Sequence, residues 1–258
     1  MVGWTELYFF ELVLMRMSGF VLFNPILGRS NIPGYVKAGV ILVLSVFVYS
    51  LGEGAAAQPP GTLAELAVIM LLELAVGFVL GFLMHLSNAV VHVGGEVIDA
   101  QMGLSMAQTY DAGSQINMTI TGSLLNVLFV LNFFLENGHY TLMRILLTSA
   151  EVLPYGTAAL GEDTAVYVVE IFCSCMVLAV KLAMPILAAE LLGEIGMGIL
   201  MKAIPQINAF VINIELKVII GLVLLFLFLV PINEFLLEVE QEMLLQLRQA
   251  LTVLNVSG

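Results

Sequence analysis

The sequence predicts an all-α protein of the polytopic membrane type, built from helical hairpins. Of its 258 residues, 60% are hydrophobic and only 11% are charged, and the mean hydropathy is strongly positive. Soluble domains do not have this composition. Four stretches reach the roughly 20 apolar residues that a helix needs to cross the hydrocarbon core, namely 63–93, 116–135, 165–192 and 207–232. These stretches are apolar all round, whereas the strands of a membrane barrel alternate, so helices are expected.

The first 51 residues predict an N-terminal helical hairpin. Its two apolar stretches, 7–23 and 36–51, are shorter than the later ones, and a turn with prolines and glycines joins them at 24–34. A linker rich in Gly, Ala and Pro follows, and then a long helical run over 63–100. We expect all of 1–258 to form a single domain.

A polar interruption follows this run. Residues 101–111 are too polar for lipid and too apolar for an ordinary solvated loop, so they need a protected surface. The remaining helices are predicted over 123–232. The tail over 233–258 is predicted to be an amphipathic helix, because apolar residues recur in it at spacings of three or four. Its apolar stripe could pack on the protein itself or dock onto a partner; the stripe consists of Leu236, Val239, Met243, Leu247, Leu251 and Leu254.

The apolar segments carry more ionisable residues than a lipid-facing bundle tolerates. Each such charge costs at least about 2.5 kcal/mol at the centre of a bilayer. We therefore expect helices that are partly buried against partner proteins in a hetero-oligomeric assembly. Glu215 and Lys217 do not share a helical face, so each is expected to pair elsewhere. The residues are Glu11, Arg16, Glu73, His85, His92, Glu96, Asp99, Lys181, Glu190, Glu215 and Lys217.

Several function classes find little support. A formal charge of −12 argues against nucleic acid, whose phosphates attract Lys and Arg. His85, His92, Glu96 and Asp99 follow one another at spacings of seven, four and three, and could bind a metal or relay protons. No zinc motif or nucleophile elbow accompanies them, so we expect no enzyme, metal or cofactor. An ion- or proton-coupled transporter of small solutes is the alternative function.

A set of short motifs in a fixed order gives the sharpest signal. The chain resembles the FliR/SctT family of flagellar and virulence-type III secretion export gates over nearly its whole length. The most specific motif is Gly94-Gly95-Glu96, followed by Gln101-Met102-Gly103-Leu104-Ser105. The others are Arg16 with Ser18-Gly19 and Asn24-Pro25, Pro33 with Lys37, Glu73 with Gly77 and Gly81, Asp111, Gly138-His139, Ser149 with Pro154, Ala183-Met184-Pro185, and the run over 204–210 with Lys217 and Gly221.

The resemblance implies a non-enzymatic subunit of the flagellar export gate, in a helical assembly with FliP-like and FliQ-like proteins and with an FlhB-like protein around it. Such an assembly belongs to the flagellar basal body in the bacterial cytoplasmic (inner) membrane, and unfolded flagellar proteins pass through it. The segment 101–122 corresponds to a plug in the channel. Its predicted pore residues are Gln101, Met102, Gly103, Leu104, Met106, Tyr110, Asp111 and Met118.

A second set of residues is predicted to form buried polar contacts or contacts with other subunits. All of them are charged or amide side chains in or beside apolar segments. They are Arg16, Glu73, Glu96, Lys202, Gln206, Asn208, Glu215 and Lys217.

Overall fold

The protein is described by a computed structural model that covers residues 4–51, 60–104, 119–203 and 209–256. These residues form helices and contain no strand, so the predicted all-α class is confirmed. The helices are α1 (Trp4–Phe23), α2 (Gly34–Leu51), α3 (Leu63–Met102), α4 (Ile120–Leu135), α5 (Gly138–Val152), α6 (Glu162–Ala203), α7 (Ala209–Leu227) and α8 (Leu229–Val256).

Two of these helices, α3 and α6, are long and apolar enough to cross a membrane. Two bent pairs, α4 with α5 and α7 with α8, raise the number of candidate spans in the described residues to as many as four. Long apolar helices and bent pairs are what a polytopic membrane protein requires, because hydrocarbon leaves no water to bond an exposed backbone. The membrane-type architecture is thus confirmed.

The chain divides into two compact units. The first unit comprises 1–87, 134–173 and 241–258, and the second comprises 88–133 and 174–240. Three long helices, α3, α6 and α8, each contribute one part to each unit, and the last two residues of α4 also belong to the first unit.

In the first unit, α1 and α2 form an antiparallel hairpin. The ring of Phe9, near the start of α1, lies 5.5 Å from that of Tyr49, near the end of α2, and the Phe10 ring lies 5.7 Å from that of Tyr49. Between the two helices, the Asn24 side chain accepts hydrogen bonds from the backbone N–H groups of Ile26 and Leu27, at 2.8 and 3.0 Å. This local bonding turns the chain at the end of α1.

Helices α1 and α3 run parallel and in very close contact. A Cβ atom on Gly77 would overlap the backbone of α1 at Arg16 and would lie 2.7 Å from the nitrogen of Phe20. A Cβ atom on Gly19 would likewise overlap α3 at Leu74 and lie 2.9 Å from the nitrogen of Phe78. Small residues permit this approach of two backbones, as they do between helices in membranes. The glycines thereby fix the register of α1 against α3.

In the second unit, the sequence 207–232, predicted as one helix, is broken at Phe228. Helices α7 and α8 meet there at 62°. Pro231 explains the break, since it has no N–H for the carbonyl of Leu227 and its ring crowds that carbonyl. The Asn132 amide of α4 donates a 2.9 Å hydrogen bond to the Asn233 side chain just after the bend.

The apolar stripe of the C-terminal tail packs inside the chain. None of its six residues is more than 3% exposed. Of the two alternatives, packing on the protein itself and docking onto a partner, the structure favours the first. The helix α8 also begins at Leu229, earlier than the predicted start at 233, because Pro231 is tolerated in a first helical turn.

Candidate functional site

A fully buried pair of opposite charges lies in the first unit, at a cluster that we call the Arg16 cluster: Arg16, Glu73, Ser149, Leu153, Tyr155 and Gly156. The Arg16 and Glu73 side chains are both 0% exposed, and the Arg16 Nε donates to Glu73 Oε2 at 2.6 Å. The Arg16 Nη1 donates to the Ser149 hydroxyl at 3.3 Å and to the Leu153 carbonyl at 3.1 Å. One guanidinium thus joins α1, α3 and the end of α5.

The second carboxylate oxygen of Glu73 is also bonded. It accepts a 2.8 Å hydrogen bond from the backbone N–H of Gly156. Gly156 has a φ of +83°, a conformation that a residue with a Cβ atom rarely adopts. A buried ion pair persists only when further hydrogen bonds satisfy its atoms, and here glycine geometry presents one of the donors.

Within the cluster, the Tyr155 ring packs over the Arg16 guanidinium. The Arg16 guanidinium carbon lies 4.0 Å from the centre of the Tyr155 ring, a cation–π contact, and the Phe9 ring meets the same ring edge-on at 5.4 Å. Burial raises the pKa of the Tyr155 phenol, and the Arg16 charge opposes that shift in part. The phenol therefore stays neutral around pH 7, and the only charges in the cluster are those of the ion pair.

In the second unit, Asp99 joins the last turns of α3 to the start of α4. Asp99 is 0% exposed and accepts a 3.0 Å hydrogen bond from the Thr121 backbone N–H, as well as one from the Thr121 hydroxyl. Negative charge at a helix N-terminus is favourable, because the first N–H groups have no partner within the helix. Beside this contact, a Cβ atom on Gly95 would lie 2.5 Å from the nitrogen of Gly122. The ends of α3 and α4 are therefore held together.

A second group of charges in this unit is here called the Glu190 cluster: Met102, Glu190, Glu194, Lys217 and Gly221. Lys217 forms an ion pair with Glu194, and the two side chains are 24% and 35% exposed. Glu190 is 1% exposed, and its Oε1 has no hydrogen-bond partner among the described residues. A Cβ atom on Gly221 would lie 2.8 Å from that oxygen and would overlap the Met102 side chain. The expected pairing of Lys217 with another helix is thus observed.

The predicted pore residues divide into two groups. Met106, Tyr110, Asp111 and Met118 lie outside the described residues. Gln101, Gly103 and Leu104 are half-buried, whereas Met102 is 0% exposed against Gly221.

The boundaries predicted for the loop also need correction. Helix α3 extends through Met102 and α4 begins at Ile120, so both ends of 101–122 are helical. The helices reach further because Asp99 and Gly95 of one contact Thr121 and Gly122 of the other. Gly103, with a φ of +77°, then takes the chain out of α3.

The predicted polar contact residues also differ in burial. Arg16 and Glu73 are buried, and Lys217 is half-buried. Glu96, Lys202 and Glu215 are exposed on this chain, so burial of their charges would require a partner. Gln206 and Asn208 lie outside the described residues.

The four residues considered for a metal site do not converge. His85 and Glu96 are exposed, whereas Asp99 is bonded to Thr121. Within the part of the chain that the structure describes, no group of three His, Cys, Asp or Glu side chains could hold a metal ion. Asp99 and Glu190 were both noticed as acids in apolar segments, but no sequence signal separated them from their exposed neighbours.

Comparison with known proteins establishes the family. The sequence model of the family described as "Bacterial export proteins, family 1" matches residues 7–243. The chain belongs to that family. The Arg16 cluster, Asp99 with Thr121 and the Glu190 cluster all fall within the matched range.

Curated members of this export family come from the flagellar and virulence branches. The chain is 27% identical over 222 residues to flagellar biosynthetic protein FliR of Escherichia coli (strain K12), covering 86% of this chain and 83% of the relative. It is 26% identical over 219 residues to FliR of Bacillus subtilis (strain 168), covering 83% of each. It is 25% identical over 214 residues to Yop proteins translocation protein T of Yersinia pestis, covering 81% and 80%. The resemblance to the FliR/SctT family is confirmed.

Proposed function

We propose that this protein is a non-enzymatic subunit of the flagellar type III export gate, which forms part of the channel for unfolded flagellar proteins. The observation that carries the proposal is the match to the export family over residues 7–243, joined by FliR relatives that align with more than four-fifths of both chains. The long apolar helices suit a membrane-associated assembly. No observation on the described residues favours the small-solute transporter.

The proposed partners are FliP-like and FliQ-like subunits and an FlhB-like protein, in the bacterial inner membrane at the flagellar basal body. Exposed charges support an assembled state. Glu96, Lys202 and Glu215 are exposed on helices that are otherwise rich in apolar residues, where lipid would penalise each charge. Partner subunits would supply the missing polar contacts.

We assign the plug to the segment between α3 and α4. Its two ends are anchored, because Met102 is fully buried and Asp99 binds Thr121. These contacts hold the helix ends on both sides of the segment in place. Such an arrangement suits a seal that opens when substrate enters and closes behind it.

The first test is purification of the tagged chain from native membranes in mild detergent, with mass spectrometry of the proteins that accompany it. We expect FliP-like and FliQ-like proteins in stable proportion. A matched control is Glu73→Gln, which breaks the Arg16 cluster and should reduce the yield of both chain and complex. A single, monodisperse chain without companions would contradict the export-gate proposal.

The plug is tested by shortening the chain between Leu104 and Ser114. We expect the complex to assemble in normal yield and the membrane to conduct ions at rest, because the anchoring contacts at Asp99 and Met102 remain. Conductance of cells or reconstituted vesicles measures the leak. An intact complex with unchanged conductance would refute the plug assignment and leave the subunit proposal standing.

A further inference from the structure

Helix α6 carries on its exposed side a mainly apolar stripe that we call the α6 seam. The seam consists of Val177, Lys181, Met184, Ala188, Leu191 and Ile195, which follow one another at alternating spacings of four and three and are all exposed. The opposite side of the same helix is buried, at Ala179, Leu182 and Ile186. Alternate spacings of three and four are the pattern by which one helix receives the side chains of another.

Lys181 is the one charged member of this seam. It lies close to the middle of the candidate span Glu162–Lys202, and its neighbours on the seam, Val177 and Met184, are 54% and 52% exposed. Among the described residues no carboxylate lies within ion-pair distance of Lys181. Glu194, further along α6, already pairs with Lys217.

Pro185 adds an unpaired backbone acceptor at the same place. A helical residue donates its N–H to the carbonyl four positions earlier, and Pro185 has no N–H for the carbonyl of Lys181. An ammonium and a carbonyl without its usual helical donor thus occur together in an apolar surface. Hydrocarbon offers no polar partner to either group.

We propose that the α6 seam packs against an apolar helix of another protein, and that this helix carries an aspartate or glutamate opposite Lys181. The proposal rests on the proposed function, which supplies an assembly for the helix to belong to. Charge complementarity selects the occupant, because a carboxylate is the group that neutralises a buried ammonium. A second copy of this seam is unsuitable, since it would place Lys181 against Lys181 with no acid nearby.

A photo-crosslinking amino acid placed in the full-length chain at Met184, in native membranes, tests the contact. The matched control is the same probe at Leu200, which is 47% exposed but lies about 160° around the helix axis from Met184. We expect one discrete protein adduct from Met184 and not from Leu200. Adducts with lipid alone, or with a second copy of this chain, would overturn the proposal.

The role of the charge is tested in the same background. Lys181→Met should reduce the adduct about tenfold or more, because the partner carboxylate loses its counter-charge, whereas Lys181→Arg should retain it. An undiminished adduct with Lys181→Met would overturn the pairing. Since Lys181 is exposed on this chain, neither variant should change how the chain itself folds.

Charge exchange gives the decisive result. Mass spectrometry of the adduct identifies the acidic residue, and exchanging the two charges, with Lys181→Glu here and lysine on the partner, should restore the adduct that Lys181→Glu alone removes. Failure of the exchange would overturn the proposal. If FliP-like and FliQ-like proteins accompany the wild-type chain but Met184 yields only lipid adducts, this inference fails while the proposed function stands.

Discussion

The two units of the chain handle their charges differently. In the first unit, Arg16 and Glu73 are fully buried, and the Arg16 Nε and Nη1 and both Glu73 carboxylate oxygens are hydrogen-bonded within this chain. In the second unit, Lys217 and Glu194 are partly exposed, and Glu190 keeps a buried oxygen without a partner among the described residues. Both units leave some buried polar atoms without a partner among the described residues, such as Arg16 Nη2 in the first and Glu190 Oε1 in the second, but the ion pair of the first unit is fully buried and that of the second is partly exposed. This difference predicts where substitutions affect folding and where they affect assembly.

The largest effect is expected at the Arg16 cluster. Glu73→Gln leaves Arg16 as an uncompensated buried charge, and we expect a loss of about 3–5 kcal/mol in the free energy of unfolding. Denaturant unfolding of the purified chain measures it. The double variant Arg16→Met with Glu73→Leu should be more stable than either single variant, because no charge remains to be buried. A loss below about 1 kcal/mol for Glu73→Gln would show that the first unit does not depend on this pair.

The contact between α1 and α3 comes next. Gly77→Ala places a methyl group into the backbone of α1, which cannot move aside as a flexible side chain can, so we expect overpacking to cost about 3 kcal/mol or more. The matched control is Gly39→Ala in α2, where a Cβ atom meets nothing within 4 Å. That control should be neutral or stabilise by about 0.5–1 kcal/mol, since glycine weakens a helix interior. Equal effects of the two variants would contradict the proposed packing.

A smaller effect is expected where α3 meets α4. Asp99→Ala removes the acceptor of the Thr121 hydrogen bonds, and the expected loss is about 1.5–3 kcal/mol. Asp99→Asn keeps one acceptor oxygen, so its loss in the free energy of unfolding should be smaller than that of Asp99→Ala. Hydrogen exchange of the first turn of α4 reports the local consequence, because the Thr121 N–H should lose protection in Asp99→Ala. Unchanged protection would mean that Asp99 does not hold this helix end.

The smallest effect on folding is expected in the Glu190 cluster. Lys217→Ala removes a partly exposed ion pair and should change the free energy of unfolding by about 1 kcal/mol or less. Its effect on the yield of the purified complex should be larger if Lys217 also meets a partner. Glu194→Ala removes the same internal pair and is the matched control. Equal complex yields for Lys217→Ala and Glu194→Ala would mean that Lys217 acts only through its contact within the chain. Normal complex yield with lost export in Lys217→Ala would mean that Lys217 acts in gating.

The sequence predicted the all-α class and most of the helices, because the composition and the length of each apolar stretch can be read from neighbouring residues. The spacing of the residues from Leu236 to Leu254 predicted an apolar helical stripe, and the structure shows that the chain itself buries it. The break at Phe228 has a local signal in Pro231, but the uniformly apolar residues around that proline predict one continuous helix. Helix ends at Met102 and Ile120 depended on contacts between helices, which no local pattern contains.

The polar contacts were harder to predict. Arg16 and Glu73 are separated by 57 positions, and Arg16 and Ser149 by 133, so only the folded chain brings them together. Glu96 and Asp99 illustrate the same limit within one helix. Both are acids in an apolar stretch, yet Glu96 is exposed and Asp99 is fully buried. The hydropathy of the sequence is nearly identical around them, and only the position of α4 distinguishes the two.

The contacts of the Arg16 cluster can form only in stages as the chain is synthesised. The carbonyl of Leu153, which bonds the Arg16 guanidinium, lies 137 residues after it in the chain. At about 5–20 residues per second, roughly 7 to 27 seconds separate the emergence of the two from the ribosome. Glu73 lies only 57 residues after Arg16, so the ion pair can form within the first half of that interval, before the contacts with Ser149 and Leu153 exist. The Arg16 cluster is therefore completed only after α5 has been made.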